Sequence, residues 1–484
     1  MTALPGNVRI SPAVAPVNAR PGYAAPVSHQ PLHVTPLAVP AGVLRTLAAR
    51  APDRWPVFLE SAAHGPLGRY SLLACQPSAT LTRDAEGRVE AQGTALEPGG
   101  FLDNLAAWYA REARPDHGRE KPLPFTGGWI VYLGYEIAGE VEPSLTLPKA
   151  RGPFSAFALR VEHLAVHDQA TDRIYAVTSN QDLAAHQRLV AELHATAGLM
   201  IQEDARPVPV ASLSEEAPER HLARVRAAKE HIAAGDIYQA NLSRPWRLEL
   251  RDEDDAARVY AALRSANPAP FAASVRFGGM TILSSSPERL MRISGREVST
   301  RPIAGTRPRL GDAEQQLRDR AELVGHPKER AEHIMLIDLE RNDLGRVCEP
   351  GSVKVNEYMV TETYAHVHHI VSNVRGILRG DRTPIDALRA LFPGGTITGC
   401  PKVRCMQLIA ELEGEGRGAY TGSLGWLGDD GDADFNILIR TLTMNGRHIE
   451  LRAGGGIVAD SIPERELEET RAKARGLLRA FEAP

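Results

Sequence analysis

Cysteine is scarce in this chain: Cys75, Cys348, Cys400 and Cys405 among 484 residues. No two of them make a CxxC pair. That removes the usual spacing of a structural zinc site and leaves reduced core thiols of a cytoplasmic protein as the expectation. Unbalanced charge is lacking too. Lys+Arg 56 against Asp+Glu 60 gives a formal charge of −4, so the sequence offers no basic footprint for nucleic acid or an anionic membrane surface. No apolar run approaches the roughly 20 residues of a membrane-spanning helix. The N-terminus lacks the charged-then-apolar layout of a signal peptide, and no internal repeat is found. What is present is apolar material, 43% of the residues, enough for one large core or two smaller domains.

Residues 1–40 are rich in Pro, Ala and Val with little periodicity and read as a disordered or loosely draped leader. Residues 41–205 read as a β-rich N-terminal region. In "WPVFLESAAHGPLGRYSLLACQPSATLTRD" and "LPFTGGWIVYLGYEIAGEVE", short apolar runs between Gly, Pro and Asp turns predict strands. "DLAAHQRLVAELHATAGLM" has helical apolar spacing, and "ARPVPVASLSEEAPER" reads as a surface connection near 205–220. From 215 to 484 strands and helices alternate. "HPKERAEHIMLIDLERNDLG" predicts a helix with Pro327 in its first turn. "SIPERELEETRAKARGLLRAF" predicts a last helix opened by a capping box of Ser461 and Glu464. Without βαβ repetition the fold class is α+β or a complex sandwich, not a TIM barrel or Rossmann fold.

Several stretches could carry chemistry, and most also have a plain structural reading. Glu329 and Glu332 share a helix face. The last helix opens with Glu464, Glu466, Glu468 and Glu469, which either complement the helix dipole or supply one carboxylate to a Mg²⁺ ion shared with the first pair. "LRAGGGIVADSIPE" runs a strand into Gly454, Gly455 and Gly456, where backbone can approach a ligand or simply bulge. "FPGGTITGCPKVR" offers Thr396, Thr398 and Lys402 as donors in a glycine-rich turn that is not a Walker A loop. "VHHIVSNVRG" places His368 and His369 in an apolar strand, as buried histidines or as an acid or base. "FNILIRTL" puts Arg440 in a strand-like run, where it needs a carboxylate from protein or ligand. "RPIAGTRPR" adds an anion-holding Gly305-Thr306 turn between arginines, with Ala304 beside it. Together these describe an anionic, oxygen-rich small molecule held by arginine, glycine backbone and Mg²⁺.

From about 215 to the end the sequence resembles the chorismate-utilising enzymes: anthranilate synthase large subunit, aminodeoxychorismate synthase component I, and isochorismate or salicylate synthases. The motifs "GDIYQANLS", "SSSPERL", "PIAGTRPR", "ERAEHIMLIDLERNDLGR", "FPGGTITGCPKVR", "GAYTGSLGW", "DFNILIRT" and "AGGGIVADS" match in order. The 41–200 part is similar, more loosely, to the family's regulatory β-rich half. The resemblance implies one interleaved globule with two facing antiparallel sheets and helices outside. It implies metal carboxylates at Glu332 and Glu469 with Glu329 close by. Carboxylate contacts fall on Tyr420, Arg440 and the Gly454–Gly456 backbone, with further substrate contacts at Gly305, Thr306 and Thr396. It implies an acid, Glu288, that helps the C4 hydroxyl of chorismate to leave, and a catalytic histidine, His369.

Members that add water carry a lysine base where this chain has Gln239, so the resemblance points to an amine-forming member. No Gly-x-Cys-x-Gly elbow is present, so ammonia is expected from a separate glutamine amidotransferase subunit. The best-known aminodeoxychorismate synthases have lysine in place of Ala304, and anthranilate synthases have alanine. The motifs "IYQANLSR", "LSSSPERL", "FPGGTITGCPK" and "DFNILIRT" resemble the former. The expectation is amination of chorismate for 4-aminobenzoate and folate, with anthranilate formation for tryptophan as the alternative and a non-catalytic chorismate- or glutaminase-binding partner as a third. Feedback-inhibited anthranilate synthases bind tryptophan at "LLES" and "NPSPYMFY". The counterparts here are Glu60, Ser61, Pro270 and Phe271, where a Phe-Ala pair replaces Tyr-Met, so the resemblance does not imply tight inhibition by tryptophan.

Overall fold

The computed structural model describes residues 32–482 apart from 64, 66, 115–120, 122, 201–202, 253–255, 310–311 and 364–366. Most of the expected 1–40 leader lies outside the described residues. Its last part, His33–Leu37, is a strand paired antiparallel to Arg173–Thr178.

Two sheets dominate. Among the described residues the first has 13 strands. N-terminal strands fill one half of it, ending in Tyr70–Ala74 and Val57–Glu60. Strands from the second half of the chain continue it: Phe271–Phe277, Met280–Ser286, Thr441–Asn445, His448–Ile457, Gln239–Leu250 and Val208–Glu215. The second sheet, of 11 strands, is divided in the same way. Gly128–Leu133, Phe154–Val161 and Ala79–Asp84 stand on one side. On the other are Ser423–Gly428, Ala433–Asn436, Arg289–Ser294, Glu297–Arg301, Val367–Ile377 and Ile303–Pro308. The chain halves therefore meet by strand pairing in both sheets, Glu60 opposite Ala272 in one and Leu133 opposite Ser423 in the other.

Side-chain alternation builds the layers. In Gly128–Leu133, Ile130 and Tyr132 join Val57, Val166 and Ile282 of the other sheet in one apolar layer, so the two sheets face each other there. Trp129, Val131 and Leu133 point the other way, onto the helices Phe101–Glu112 and Pro384–Leu391. The first sheet is covered likewise by Gly42–Arg50, Leu183–Ala197, Ala256–Ala266 and Pro463–Leu478. A strand buried on both faces must be apolar at every position, which is why this one shows no alternation in sequence. Trp129 packs edge-on to Trp108 with centroids 5.7 Å apart. Truncating such a ring costs about 3–5 kcal/mol.

The four cysteines are free thiols. Among the described residues no helix is long and apolar enough to cross a membrane. Pro327 does open the Pro327–Gly345 helix at its first turn. The capping box expected at Ser461 and Glu464 does not form. Pro463 starts the last helix with Ile462 as cap, and the Ser461 hydroxyl accepts from the Val458 N–H (3.1 Å) in the preceding turn.

Candidate active site

The floor of the site is the antiparallel pair Gln239–Leu250 and His448–Ile457. Gly454, Gly455 and Gly456 lie opposite Ser243, Leu242 and Asn241 in regular register, so they are a strand and not a bulge. Glycine is required by what stands on either face. A Cβ at Gly454 would lie 2.7 Å from the Tyr420 hydroxyl, and one at Gly456 would collide with the Gln239 amide. On the other face a Cβ at Gly455 would lie 3.2 Å from Glu469 Oε1 and 3.5 Å from Glu466 Oε2. Thr441–Asn445 pairs this strand only as far as Leu451, so among the described residues the second edge of the glycine run is open. One group on this run already takes a cation: the Gly454 carbonyl accepts from Lys473 Nζ (2.9 Å).

Above the floor sits a dry group. Glu288, 4% exposed, follows Met280–Ser286. Its Oε1 accepts from the Thr396 hydroxyl (2.8 Å) and the Ile303 N–H (3.4 Å). Burial pushes its carboxyl up to about 7. Glu340 adds to the rise, and the hydrogen bonds and the Arg440 guanidinium oppose it. Arg440 has a left-handed backbone, φ +50°. Among the described residues it makes no ion pair and no side-chain hydrogen bond. Burial lowers its affinity for a proton, and Glu288 is the one charge that restores it. His369, 2% exposed, is pushed down to about 3 by burial and then by Arg440, against a hydrogen bond with the Gly305 backbone. It is a neutral imidazole at physiological pH. Glu288, Arg440 and His369 thus form one electrostatic neighbourhood.

Gly305 joins that neighbourhood to the acidic helix. It sits at φ +69° in a register break of Ile303–Pro308, and a Cβ there would meet Glu329 Oε2 at 2.9 Å. Ala304 is its strand neighbour, opposite Ile370. Thr306 is placed only by its backbone, opposite His369, and its side chain lies outside the described part. Glu332 follows Glu329 by three on the same helix, half-buried. Glu469, its side chain 50% exposed, pairs with Lys473 at 2.7 Å. All these donors are carboxylate oxygens, the type a hard dication takes. Among the described residues no three carboxylate, imidazole or thiol groups converge on one point. A bound ion would therefore rely on one or two carboxylates, with waters and substrate oxygens filling the rest.

Lys402 is placed differently from expectation. Its ammonium is held by Asp343 and by the Leu391 carbonyl (3.4 Å), behind Glu340. Glu340 accepts from the Gly395 N–H (3.2 Å), and burial raises its carboxyl to about 7. Lys402 thus anchors the back of the Thr396 loop. Thr398 bonds inward to the Gly394 carbonyl (2.9 Å) and is no ligand donor either.

Lys473 and Glu340 went unnoticed in the sequence. Lys473 follows Glu469 by four residues, the helical spacing of an ion pair, and that spacing was the available signal. Glu340 had none, because its importance comes from burial.

A second recess opens at the seam between the chain halves. Glu60, Ser61, Pro270 and Phe271 all line a cavity of about 720 Å³, with Arg289 and Asp434. Glu60 is not free to receive an ammonium group. The Tyr260 hydroxyl (2.8 Å), Arg264 (2.9 Å) and Arg45 (3.2 Å) hold its carboxylate. The Ser61 hydroxyl donates to the Tyr70 (2.9 Å) and Pro270 (3.2 Å) carbonyls.

Comparison with known proteins bears on this geometry. The pattern of the chorismate binding enzyme family matches residues 57–479. Anthranilate synthase component 1 of Streptomyces coelicolor is 40% identical over 452 residues, covering 89% of this chain and 84% of that protein. Aminodeoxychorismate synthase component 1 of Bacillus subtilis is 37% identical over 444 residues, 88% of this chain and 91% of that one. The crystal structure of anthranilate synthase component I from Streptococcus pneumoniae TIGR4 superimposes with a TM-score of 0.74 at 30% identity, covering 86% of this chain and 93% of that one. The chain belongs to the family of chorismate-binding enzymes, among relatives of the anthranilate synthase and aminodeoxychorismate synthase type.

Proposed function

We propose that this chorismate-utilising enzyme exchanges the C4 hydroxyl of chorismate for ammonia, giving 4-amino-4-deoxychorismate and water. The ammonia comes from a separate glutamine amidotransferase subunit, and the product serves 4-aminobenzoate and folate synthesis. The observation that carries an amine-forming reaction is Gln239, whose amide packs on Gly456. An amide cannot take a proton from water, whereas neutral ammonia is a nucleophile without help.

The rest follows from charge. Chorismate is a dianion, and Arg440 has no ion-pair partner among the described residues, so it takes a substrate carboxylate together with the Tyr420 hydroxyl and the open glycine edge. Glu288, half protonated near pH 7, gives its proton to the departing hydroxyl, which leaves as water. The C–N bond forms as an ammonium group, whose surplus proton restores the Glu288 carboxyl, while His369 stays a neutral imidazole beside Arg440. Glu332 and Glu469, with Glu329 nearby, would hold Mg²⁺, which when bound supplies positive charge against a substrate carboxylate.

The choice of the 4-amino product rests on the resemblance of "SSSPERL", "FPGGTITGCPK" and "DFNILIRT". A second reading, anthranilate plus pyruvate, is favoured by Ala304, whose methyl group leaves C2 open to ammonia. Product identity separates them. The pure chain is incubated with chorismate, Mg²⁺ and ammonium at alkaline pH, with and without aminodeoxychorismate lyase. A product that becomes 4-aminobenzoate only with lyase supports the first reading. Anthranilate formed without lyase overturns it for the second.

A further inference from the structure

A buried ion-pair hub lies beneath the cleft. The Glu413 carboxylate accepts from the Ser243 N–H (2.8 Å) and hydroxyl (3.0 Å), from Arg452 Nη2 (3.1 Å), and from Arg417 at 3.0 and 2.7 Å. Burial opposes ionisation, yet the Arg417 and Arg452 guanidiniums pull this carboxyl down to about 2. Arg417 reaches further than Glu413. Its Nη2 donates to the Asn241 carbonyl (2.7 Å), and its Nη1 to the Ile397 carbonyl (3.2 Å) and the Thr421 hydroxyl (3.2 Å). Its guanidinium carbon lies 4.9 Å from the Tyr135 ring centroid and 5.5 Å from that of Tyr420. The Thr421 hydroxyl passes the contact on by donating to the Tyr420 carbonyl (2.6 Å). One side chain therefore ties the Gln239 strand, the Thr396 loop and the Tyr420 bend together.

That bend is not one threonine adopts freely. Thr421 has φ +62°, the left-handed region, where a β-branched residue is an outlier. Its N–H donates to the Leu438 carbonyl (2.8 Å), and the Leu438 N–H donates to the Gly422 carbonyl (2.8 Å). Two residues beyond Leu438 stands Arg440, itself left-handed. The bend presenting Tyr420 and the bend presenting Arg440 are laced back to back. Such backbone persists only where its surroundings over-determine it, and Arg417 is the side chain that grips it.

We propose that Arg417, acting through Thr421, is a positioning residue for substrate anchoring. It fixes the Tyr420–Thr421 bend, and through Leu438 the Arg440 bend, at the separation the carboxylate contacts require. This rests on the reading that Tyr420 and Arg440 hold chorismate.

Thr421→Val keeps a β-branched residue at the same strained φ and removes only the hydroxyl, while Thr421→Ser retains it. Arg417→Lys keeps a charge for Glu413 but loses the forked donors. Chorismate depletion with Mg²⁺ and ammonium is followed at varied chorismate, with a thermal melt of each variant. Thr421→Val and Arg417→Lys raise KM about tenfold or more with kcat changed less than about threefold, the signature of lost ground-state binding. Thr421→Ser stays near the parent. Tyr420→Phe and Arg440→Lys raise KM in the same pattern. Folded Thr421→Val with the parental KM, while Tyr420→Phe and Arg440→Lys raise it, overturns the positioning role and leaves the anchoring intact. Unchanged KM in Tyr420→Phe and Arg440→Lys overturns the anchoring reading itself. Should Arg417→Lys fail to fold, Thr421→Val decides alone.

Discussion

Glu288 and Arg289 are neighbours in the sequence and serve opposite recesses. Glu288 belongs to the cleft over the glycine run, and Arg289 lines the seam cavity. Of the arginines lining the cavity, Arg289 makes a two-pronged pair with Asp434 at 2.8 and 2.9 Å, Arg69 makes one with Asp168, and Arg292 is exposed to solvent. The cleft's arginine, Arg440, has no such partner among the described residues and feels only the charge of Glu288. Arg440 is half-buried, so its unpaired guanidinium is only partly hydrated, and an arriving carboxylate offsets that partial desolvation. An arginine paired to an aspartate offers an anion little by comparison. The two recesses share sheets, arginines and glutamates, yet among the described residues the buried arginine of the cavity, Arg289, is paired, and the half-buried arginine of the cleft, Arg440, is not.

The largest test of that contrast removes the proton donor of the cleft. Glu288→Gln keeps the hydrogen bond to Thr396 but cannot release a proton. It should lower kcat by about 10²–10⁴-fold, read by chorismate depletion with saturating Mg²⁺ and ammonium. It should also flatten part of the pH dependence of stability. The native Glu288 carboxyl holds its proton up to about 7 while the unfolded one releases it near 4.5, so its favourable contribution fades as pH rises between those values. Melts from pH 4 to 8 should lose that slope in the variant.

Next in size is the pH–rate profile. With free NH₃ held constant, kcat/KM should fall about tenfold per unit above an apparent pKa near 7, where Glu288 loses its proton. His369 titrates near 3, so no rising limb should appear between pH 5 and 7. Glu340 raises the Glu288 value, so Glu340→Gln should move the falling limb to lower pH. A limb that stays put would detach Glu340 from the acid. In the seam cavity, Asp434→Asn leaves Arg289 without its carboxylate and should cost about 2 kcal/mol of stability by thermal melt, with kcat/KM for chorismate within about twofold.

These contrasts were unevenly legible in the sequence. The glycine run, the Thr396 loop and the Glu288 motif are contiguous stretches whose chemistry is local, so spacing and motif exposed them. Strand Gly128–Leu133 was visible as an apolar run, but its pairing with Ser423–Gly428 was not, because partners so far apart leave no local signal. Lys402 looked like a ligand donor until Asp343, on another helix, claimed it. Ser461 looked like a cap until Pro463 moved the helix start one residue on. In both cases a generic side-chain property was readable, and the competitor for it came from elsewhere in the fold or from the next turn.

The smallest expected effect concerns the seam cavity, and it follows from Glu60. A bound amino acid brings an ammonium group that needs a carboxylate, and the motif comparison offers Glu60 for that role. Its oxygens are instead held by Arg264, Arg45 and Tyr260. Freeing them would leave Glu203 as the one carboxylate partner of both Arg45 and Arg264 among the described residues. Phe271 lies under the Arg289 guanidinium (5.3 Å) and is committed as well. Tryptophan at about 1 mM should therefore inhibit chorismate turnover by less than about twofold, the factor that corresponds to about 0.4 kcal/mol. Inhibition at micromolar tryptophan would mean that the Glu60 network opens to admit an ammonium group, and that the paired recess is as receptive as the unpaired one.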